Sequence, residues 1–282
     1  MPTTRAARQK PLLILQMSTP PDDVTARFGE QGDWITRALA DDTLPVRVVR
    51  PAAGEGLPAP DQVAGAVISG AWNMVTDRED WSERTAAWIR DAMAIDLPLL
   101  GICYGHQLMS HALGGVVDYH PDGLELGCYP VELIDNVSDD PVLSHLSGRF
   151  AAPLTHEQTV LIPPVGAQVL ARSSHDPHQI LRYGPAAWSV QFHPEFSPEL
   201  LTACIVRREP ALRERGEDVD AMLASVRACD TAREVLIRFA RWSLAQQAVV
   251  DEGSMSDAAR ADTRQARVGD VALPVSGMSA VA

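Results

Sequence analysis

Short apolar runs alternate with amphipathic segments over the first hundred residues of this chain. The runs are typical of buried strands and cover residues 12–17, 46–49, 63–68 and 97–102. Residues 33–41 and 81–95 instead repeat apolar side chains at helical spacing. This alternation predicts an α/β fold, in which a mostly parallel sheet is covered by helices on both faces and binds ligands at the carboxyl ends of its strands.

The pattern changes after Gly115, where shorter apolar runs are separated by turns. We expect these runs to form a small antiparallel excursion that returns to the sheet. The predicted strands cover residues 128–134, 153–159, 168–173, 179–183 and 187–192. Two helices are then predicted at residues 198–208 and 219–244, because apolar side chains recur there at helical spacing.

The domain boundaries follow from where the apolar pattern begins and ends. We predict one domain over residues 11–245, of which residues 197–245 form an added helical extension. Residues 1–10 are expected to be a flexible leader. Residues 246–282 are small and polar with no apolar period, which predicts a disordered tail.

The segment from Gly101 to Gly105 joins a predicted strand directly to a predicted helix. It reads G-x-C-x-G, which is the cysteine version of a nucleophile elbow: small residues flank a nucleophile on a sharp turn. The helix that follows points its N-terminal N–H groups at Cys103 and favours the thiolate. Taken alone, the pattern fits a buried structural cysteine equally well.

A second motif lies ninety residues downstream, where the predicted strand 187–192 runs into His193-Pro194-Glu195. Residues two apart on a strand project to the same face, so His193 and Glu195 can lie side by side. A cysteine nucleophile needs a base, and an imidazole base needs a carboxylate to orient it. The two motifs together therefore favour a catalytic Cys103.

G-x-C-x-G-x-Q followed by H-P-E on a later strand resembles the class I glutamine amidotransferases, and within them the proteins similar to the amidotransferase domain of GMP synthase. The resemblance covers residues 12–197 and implies a flavodoxin-like three-layer sandwich. It also implies that Cys103 attacks the side-chain amide of glutamine, with His193 as acid and base and Glu195 as its partner. Backbone N–H groups of Gly70 and Tyr104 would form the oxyanion hole, and neither a metal nor a cofactor is implied.

The same resemblance suggests substrate-binding residues. Gln107 on the elbow helix would contact the amino-acid end of glutamine, and His156 and Gln158 fall in the segment that matches the family's S-H-x-D-x-V region. This chain departs from the family there, where it reads T-H-E-Q, and after Gly70, where the family often has a second glycine and a proline.

Three functions remain open on the sequence. The first is a glutaminase that passes ammonia to a separate synthetase chain, because no glycine-rich phosphate loop accompanies the motifs. The second is a stand-alone hydrolase of γ-glutamyl peptides or amides with the same triad. The third is a redox-sensing relative that uses the elbow cysteine as an oxidisable thiol, which would not need His193 and Glu195.

The charge and the residue composition disfavour several classes of binding partner. The net charge of −13 disfavours nucleic-acid binding, and no apolar run is long enough for a membrane span. The four cysteines have no C-x-x-C spacing, so neither a zinc site nor a disulfide scaffold is indicated and a reducing cytoplasm fits best. The oligomeric state is not indicated.

Overall fold

The computed structural model describes residues 9–247. Its helices are α1 (Asp22–Phe28), α2 (Gln31–Leu39), α3 (Asp80–Met93), α4 (Tyr104–Ala112), α5 (Pro198–Glu214), α6 (Val219–Ser225) and α7 (230–247). Its strands are β1 (Leu12–Leu15), β2 (Val46–Val49), β3 (Gly65–Ile68), β4 (Leu99–Ile102), β5 (Val116–Tyr119), β6 (Glu125–Leu133), β7 (Arg149–His156), β8 (Gln158–Ile162), β9 (Gln168–Arg172), β10 (Ile180–Gly184) and β11 (Ala187–Val190). None of the helices within these residues is long and apolar enough to cross a membrane. Most of the predicted leader and tail falls outside the described residues.

A nine-stranded sheet forms the centre of the molecule, in the order β2-β1-β3-β4-β11-β10-β9-β6-β7. The first five strands are parallel, including β11, which pairs with β4 although it comes almost ninety residues later. The remaining strands are antiparallel and form the predicted excursion. The predicted α/β sandwich is therefore confirmed.

Helices cover both faces of the parallel half, since alternate residues of each buried strand point to opposite sides. Leu12 and Ile14 pack on one face with side chains from α2 and α7. Leu13 and Leu15 pack on the other face with side chains from α3 and α4. All four of these strand residues are fully buried, which explains why the strand is a continuous apolar run.

The predicted strand 153–159 is wrong as a single element. The chain leaves the main sheet after His156, and β8 pairs with β5 in a separate two-stranded sheet beside α4. Apolar and β-branched residues lie on both sides of this break, so the pattern did not indicate that the chain changes its pairing partner. Neither β5 nor α1 was predicted.

The predicted helix 219–244 is also wrong, because it is two helices. Val226 has an extended backbone at the end of α6, and α7 begins at residue 230. Val219 and Met222 pack with β6 and α5, whereas Val235 and Phe239 pack on the sheet face shared with α2. The chain must turn between α6 and α7 because their apolar faces pack into two different hydrophobic clusters.

Two glycines let α4 start directly against the sheet. A Cβ atom on Gly105 would lie 2.2 Å from the carbonyl oxygen of Ile68, and one on Gly101 would lie 2.5 Å from the carbonyl oxygen of Gly105. Both contacts involve backbone, which cannot move aside without disturbing the strands. The Gly105 N–H also donates to the carbonyl oxygen of Ser69 at 3.1 Å. Both glycines of the elbow are therefore required by packing.

Gly105→Ala should lower the free energy of unfolding by about 3 kcal/mol or more, because the methyl group overlaps the Ile68 carbonyl. Gly56→Ala is the matched control, since a Cβ atom there meets nothing within 4 Å. Urea unfolding followed by circular dichroism measures both. Equal stability of the two variants would contradict the close packing of α4 on β3.

Candidate active site

Cys103 lies in the one-residue turn between β4 and α4. Its backbone has φ +51° and ψ −101°, a conformation that is costly for a residue with a side chain. Two hydrogen bonds hold it there: the Cys103 N–H donates to the Val190 carbonyl at 2.8 Å, and the Gln107 N–H donates to the Cys103 carbonyl at 3.0 Å. As a thiol, the sulfur donates to the Thr155 carbonyl at 3.6 Å. Such strain is typical of functional positions.

His193 follows β11 at the same edge of the sheet. Its backbone N–H donates to the Pro153 carbonyl at 2.9 Å, and its ring Nδ1 lies 2.8 Å from Glu195 Oε1. A Cβ atom on Gly70 would lie 3.0 Å from His193 Cε1 and 3.7 Å from Cys103 Cβ, so Gly70 packs against both residues. The structure therefore brings together the three residues that the motifs proposed.

An aromatic cluster packs against one face of the imidazole. Phe196 stacks on the His193 ring with centroids 4.1 Å apart. Trp34 packs edge-on against Phe196 at 5.9 Å and against Trp72 at 6.0 Å. These contacts limit the rotation of His193 about its Glu195 hydrogen bond, and the ring nitrogen Nε2 is buried without a hydrogen-bond partner within residues 9–247.

The charges at the site determine the protonation of His193. Burial by itself lowers the pKa of an imidazole, because the charged form is poorly solvated. Here the negative charges of Glu195 and Cys103 outweigh burial and raise the pKa of His193 to about 10. His193 is therefore held protonated at neutral pH, and an imidazolium in this position stabilises a neighbouring thiolate.

Two backbone N–H groups are available beside the sulfur. Neither the Gly70 N–H nor the Tyr104 N–H donates a hydrogen bond to any residue between 9 and 247. The loop that carries Gly70 is anchored by hydroxyl groups: Ser69 Oγ accepts from the Met17 N–H at 3.0 Å, and Ser18 Oγ accepts from the Trp72 N–H at 3.0 Å. These bonds hold the loop without the second glycine and the proline that the family often has.

A cavity of about 140 Å³ joins these groups. The substrate-binding residues predicted from the resemblance all line it, but their polar atoms are largely used within the protein. Gln107 Nε2 donates to the Gln158 carbonyl at 2.6 Å and to Gln191 Oε1 at 3.1 Å, which leaves its Oε1 for a ligand. Gln158 Oε1 accepts from the Val75 N–H at 3.1 Å, and its Nε2 donates to Thr76 Oγ1 at 2.5 Å. The Gln158 side chain therefore holds the loop at one wall of the cavity.

His156 belongs to a buried charge network that no sequence motif indicated. Its Nε2 lies 2.8 Å from Glu125 Oε2, and its Nδ1 lies 3.0 Å from the Gln158 carbonyl. Burial lowers the pKa of His156, but the bond to Glu125 and the charge of Asp176 outweigh it and raise the pKa. Glu125 opposes His156 in the pairing of β6 and β7, so only the strand register could have identified it.

Two of the charged side chains at the mouth of the cavity form an ion pair. Arg208 of α5 donates from Nη1 to Glu157 Oε1 at 2.6 Å, and each side chain is about one-third exposed. Neither residue was proposed from the sequence: Glu157 lies within the T-H-E-Q segment, from which only His156 and Gln158 were proposed, and Arg208 lies outside every motif. Within residues 9–247, no group of three or more His, Cys, Asp or Glu side chains is arranged to hold a metal ion.

Comparison with known proteins identifies the family. The family model described as glutamine amidotransferase class-I matches residues 30–209. The chain belongs to this family. Among solved structures, a glutamine amidotransferase from Methylobacillus flagellatus superimposes with a TM-score of 0.69 and 21% identity, over 85% of this chain and 96% of that one. The similarity supports the predicted fold class.

Relatives of two kinds are similar in sequence. GMP synthase from Aeropyrum pernix is 37% identical over 144 residues, which are 51% of this chain and 26% of that protein. A glutamine-hydrolysing GMP synthase subunit from Methanothrix thermoacetophila is 32% identical over 61% of this chain and 87% of its own length. Gamma-glutamyl peptidase 5 from Arabidopsis thaliana is 30% identical over 52% of this chain and 59% of its length. This chain thus spans about a quarter of the length of the GMP synthases from Aeropyrum pernix and Thermomicrobium roseum that it matches.

Glu195→Gln should lower the pKa of His193 by about one unit or more, because the amide removes the charge that offsets burial of the imidazolium. Cys103→Ser should lower it too, since the hydroxyl stays neutral. NMR titration of the imidazole nitrogens measures the shift. Glu157→Gln is the control, because Glu157 pairs with Arg208 rather than with the imidazole. A His193 pKa that is unchanged in both active-site variants would contradict the assigned cause.

Proposed function

We propose that this protein hydrolyses the side-chain amide of glutamine through Cys103, His193 and Glu195. The observation that supports this most is the arrangement around one cavity: a strained cysteine, a buried imidazole with a free Nε2, and two unused backbone N–H groups. Nucleophile, acid–base group and oxyanion donors are the set that acyl transfer requires.

In the proposed acylation step, the Cys103 thiolate attacks the amide carbon and the carbonyl oxygen becomes an oxyanion. The Gly70 and Tyr104 N–H groups would donate hydrogen bonds to this oxyanion. Each such donor typically stabilises the transition state by a few kcal/mol. Protonated His193 gives its proton to the leaving nitrogen, and ammonia departs. The product is a γ-glutamyl thioester on Cys103.

In the proposed deacylation step, His193 has lost its proton and can accept one from water. The water attacks the thioester through a second oxyanion in the same hole, and glutamate leaves as the thiolate re-forms. Glu195 orients the ring and stabilises the imidazolium in both steps. Phe196 restricts the ring from its face, so Nε2 stays directed at the reacting atoms.

We propose that the α-amino and α-carboxylate groups of the substrate bind at the cavity mouth. Glu157 offers a negative charge to the ammonium, Arg208 a positive charge to the carboxylate, and Gln107 Oε1 a further acceptor. The two charged residues already pair with each other, so the substrate would replace one ion pair by two. Under this assignment, His156 and Gln158 position the wall of the cavity.

The ammonia is proposed to reach a separate synthetase chain. A relative covered over 87% of its length is named as one subunit of GMP synthase, which supports a synthetase on a separate chain. The four cysteines are all unpaired by disulfides, which fits the proposed location in a reducing cytoplasm.

A stand-alone γ-glutamyl peptide or amide hydrolase is the second candidate. It uses the same thioester and releases a larger amine. The T-H-E-Q segment favours it, since this is where the chain departs from the family pattern, and so does the similarity to a gamma-glutamyl peptidase. A redox-sensing role is less favoured, because it would not require His193 beside Glu195.

Glutamate release from glutamine and from γ-glutamyl peptides tests the proposal. Cys103→Ala should lower kcat by about 10⁴-fold or more on whichever substrate is cleaved, and His193→Ala should have a similar effect. Cys229→Ser is the control and should keep full activity, because Cys229 lies outside the cavity that contains Cys103. A Cys103→Ala variant that retains activity would exclude the proposed chemistry. Cleavage of peptides but not glutamine would select the second candidate.

Arg208→Ala should raise KM by about 10-fold with little change in kcat, because it removes a charge that binds the ground state and transition state equally. Arg213→Ala is the matched control on the same helix, where Arg213 pairs with Glu209 away from the cavity. Steady-state kinetics on the cleaved substrate measures both. A change in kcat alone would argue against Arg208 as a substrate-binding residue.

A further inference from the structure

Two cysteines that the proposed mechanism does not use are in contact. Cys128 lies on β6, and Cys229 lies in the segment between α6 and α7, 101 residues later. Their sulfur atoms are 3.4 Å apart. A disulfide needs about 2.05 Å, so a small movement of either side chain would close the gap. The separation of 101 residues explains why the cysteine spacing in the sequence contained no sign of the pair.

The surroundings of the pair suit thiol exchange. Cys128 is buried, whereas Cys229 is partly exposed and lines a cavity of about 260 Å³ together with Phe196, Pro198 and Arg233. The hydrogen bond from Cys229 outweighs burial and lowers the pKa of Cys128 to about 6. The same hydrogen bond raises the pKa of Cys229, so the pair shares a single proton, and the partly exposed Cys229 is the member that a small molecule can reach.

We propose that Cys128 and Cys229 form a reversible disulfide by exchange with a small disulfide of the oxidised glutathione class. Cys229, as thiolate after proton transfer within the pair, attacks one sulfur of the small disulfide and expels one thiolate. Cys128, which took up that proton, gives it to the expelled thiolate, and the Cys128 thiolate then attacks the sulfur of Cys229 in this mixed disulfide and expels the second thiolate. Two thiols of the protein are oxidised, and one small disulfide is reduced to two thiols.

The disulfide would join β6, in the antiparallel half of the sheet, to the segment that immediately precedes α7. Cys229 contacts both the core that includes α7 and the core formed by β6, α5 and α6. A cross-link that closes a loop of 101 residues restricts the unfolded chain strongly, so the oxidised protein should resist heating. This modification leaves Cys103 free, which distinguishes it from oxidation of the elbow cysteine.

Peptide mapping of the full chain tests the proposal. The Cys103→Ala variant is incubated with oxidised glutathione and digested with trypsin without reduction. Cleavage at arginines then isolates Cys229 in peptide 228–233, Cys128 in peptide 91–149 and Cys204 in peptide 183–207. Because Cys103 is absent, each peptide has one cysteine. The expected product is peptide 228–233 joined to peptide 91–149, and dithiothreitol should separate them.

Matched variants distinguish the pair from general thiol reactivity. Cys204 belongs to the same apolar cluster as Cys128, but burial raises its pKa to about 11. Cys204→Ala should therefore keep the cross-link, whereas Cys128→Ala should lose it and retain glutathione on Cys229. The melting temperature should rise on oxidation by about 5–10 °C, only when both cysteines of the pair are present.

Three results would overturn the proposal. They are glutathione retained on Cys229 when Cys128 is present, a link from Cys229 to peptide 183–207, and no reaction at all. If Cys128→Ala does not fold, the Cys204→Ala variant still tests the link, because its cross-link must involve Cys128. A cross-link without a rise in melting temperature would exclude the stabilising role.

Discussion

The parallel pairing of β11 with β4 is the interaction on which the site depends. Val190 lies beside Ile102, so the two strands end together and place His193 and Cys103 at one edge of the sheet. All four residues of β11 are buried, and alternation of polar and apolar faces therefore cannot set the register. Ser189, the polar residue of this strand, makes a 2.7 Å hydrogen bond to His106 on the elbow helix, which a shifted register would break. Burial lowers the pKa of His106 to about 3, so this bond is made by a neutral ring.

The elbow combines a costly backbone with favourable packing. Cys103 adopts a positive φ, which a side chain disfavours, while the flanking glycines allow contacts that no other residue permits. The hydrogen bond from Cys103 to β11 belongs to the same edge of the sheet as the pairing that positions His193. The strained backbone of Cys103 is therefore held in place by β11, and the same strand leads directly to His193.

The sequence predicted those parts of the molecule that are local. The four apolar runs became four of the five parallel strands, and the G-x-C-x-G and H-P-E motifs identified side chains that the fold does bring together. It could not predict Glu125, which contacts His156 only through the pairing of β6 with β7, or Arg208, which reaches the cavity from α5. The break after His156 was missed for the same reason, since the residues on both sides suit a strand. Gln158 was assigned to substrate from a motif, yet its hydrogen bonds to the loop at residues 75–77 are visible only in three dimensions.

The aromatic contacts around His193 have an optical consequence. Of the six tryptophans in the chain, Trp34 and Trp72 line the cavity, and Trp34 is linked to the imidazole through the ring of Phe196. Indole emission responds to nearby charge and to exclusion of water, both of which change when a ligand fills such a site. Trp34 and Trp72 therefore act as intrinsic fluorophores in the cavity, and ligand binding there can be followed by tryptophan fluorescence without a label.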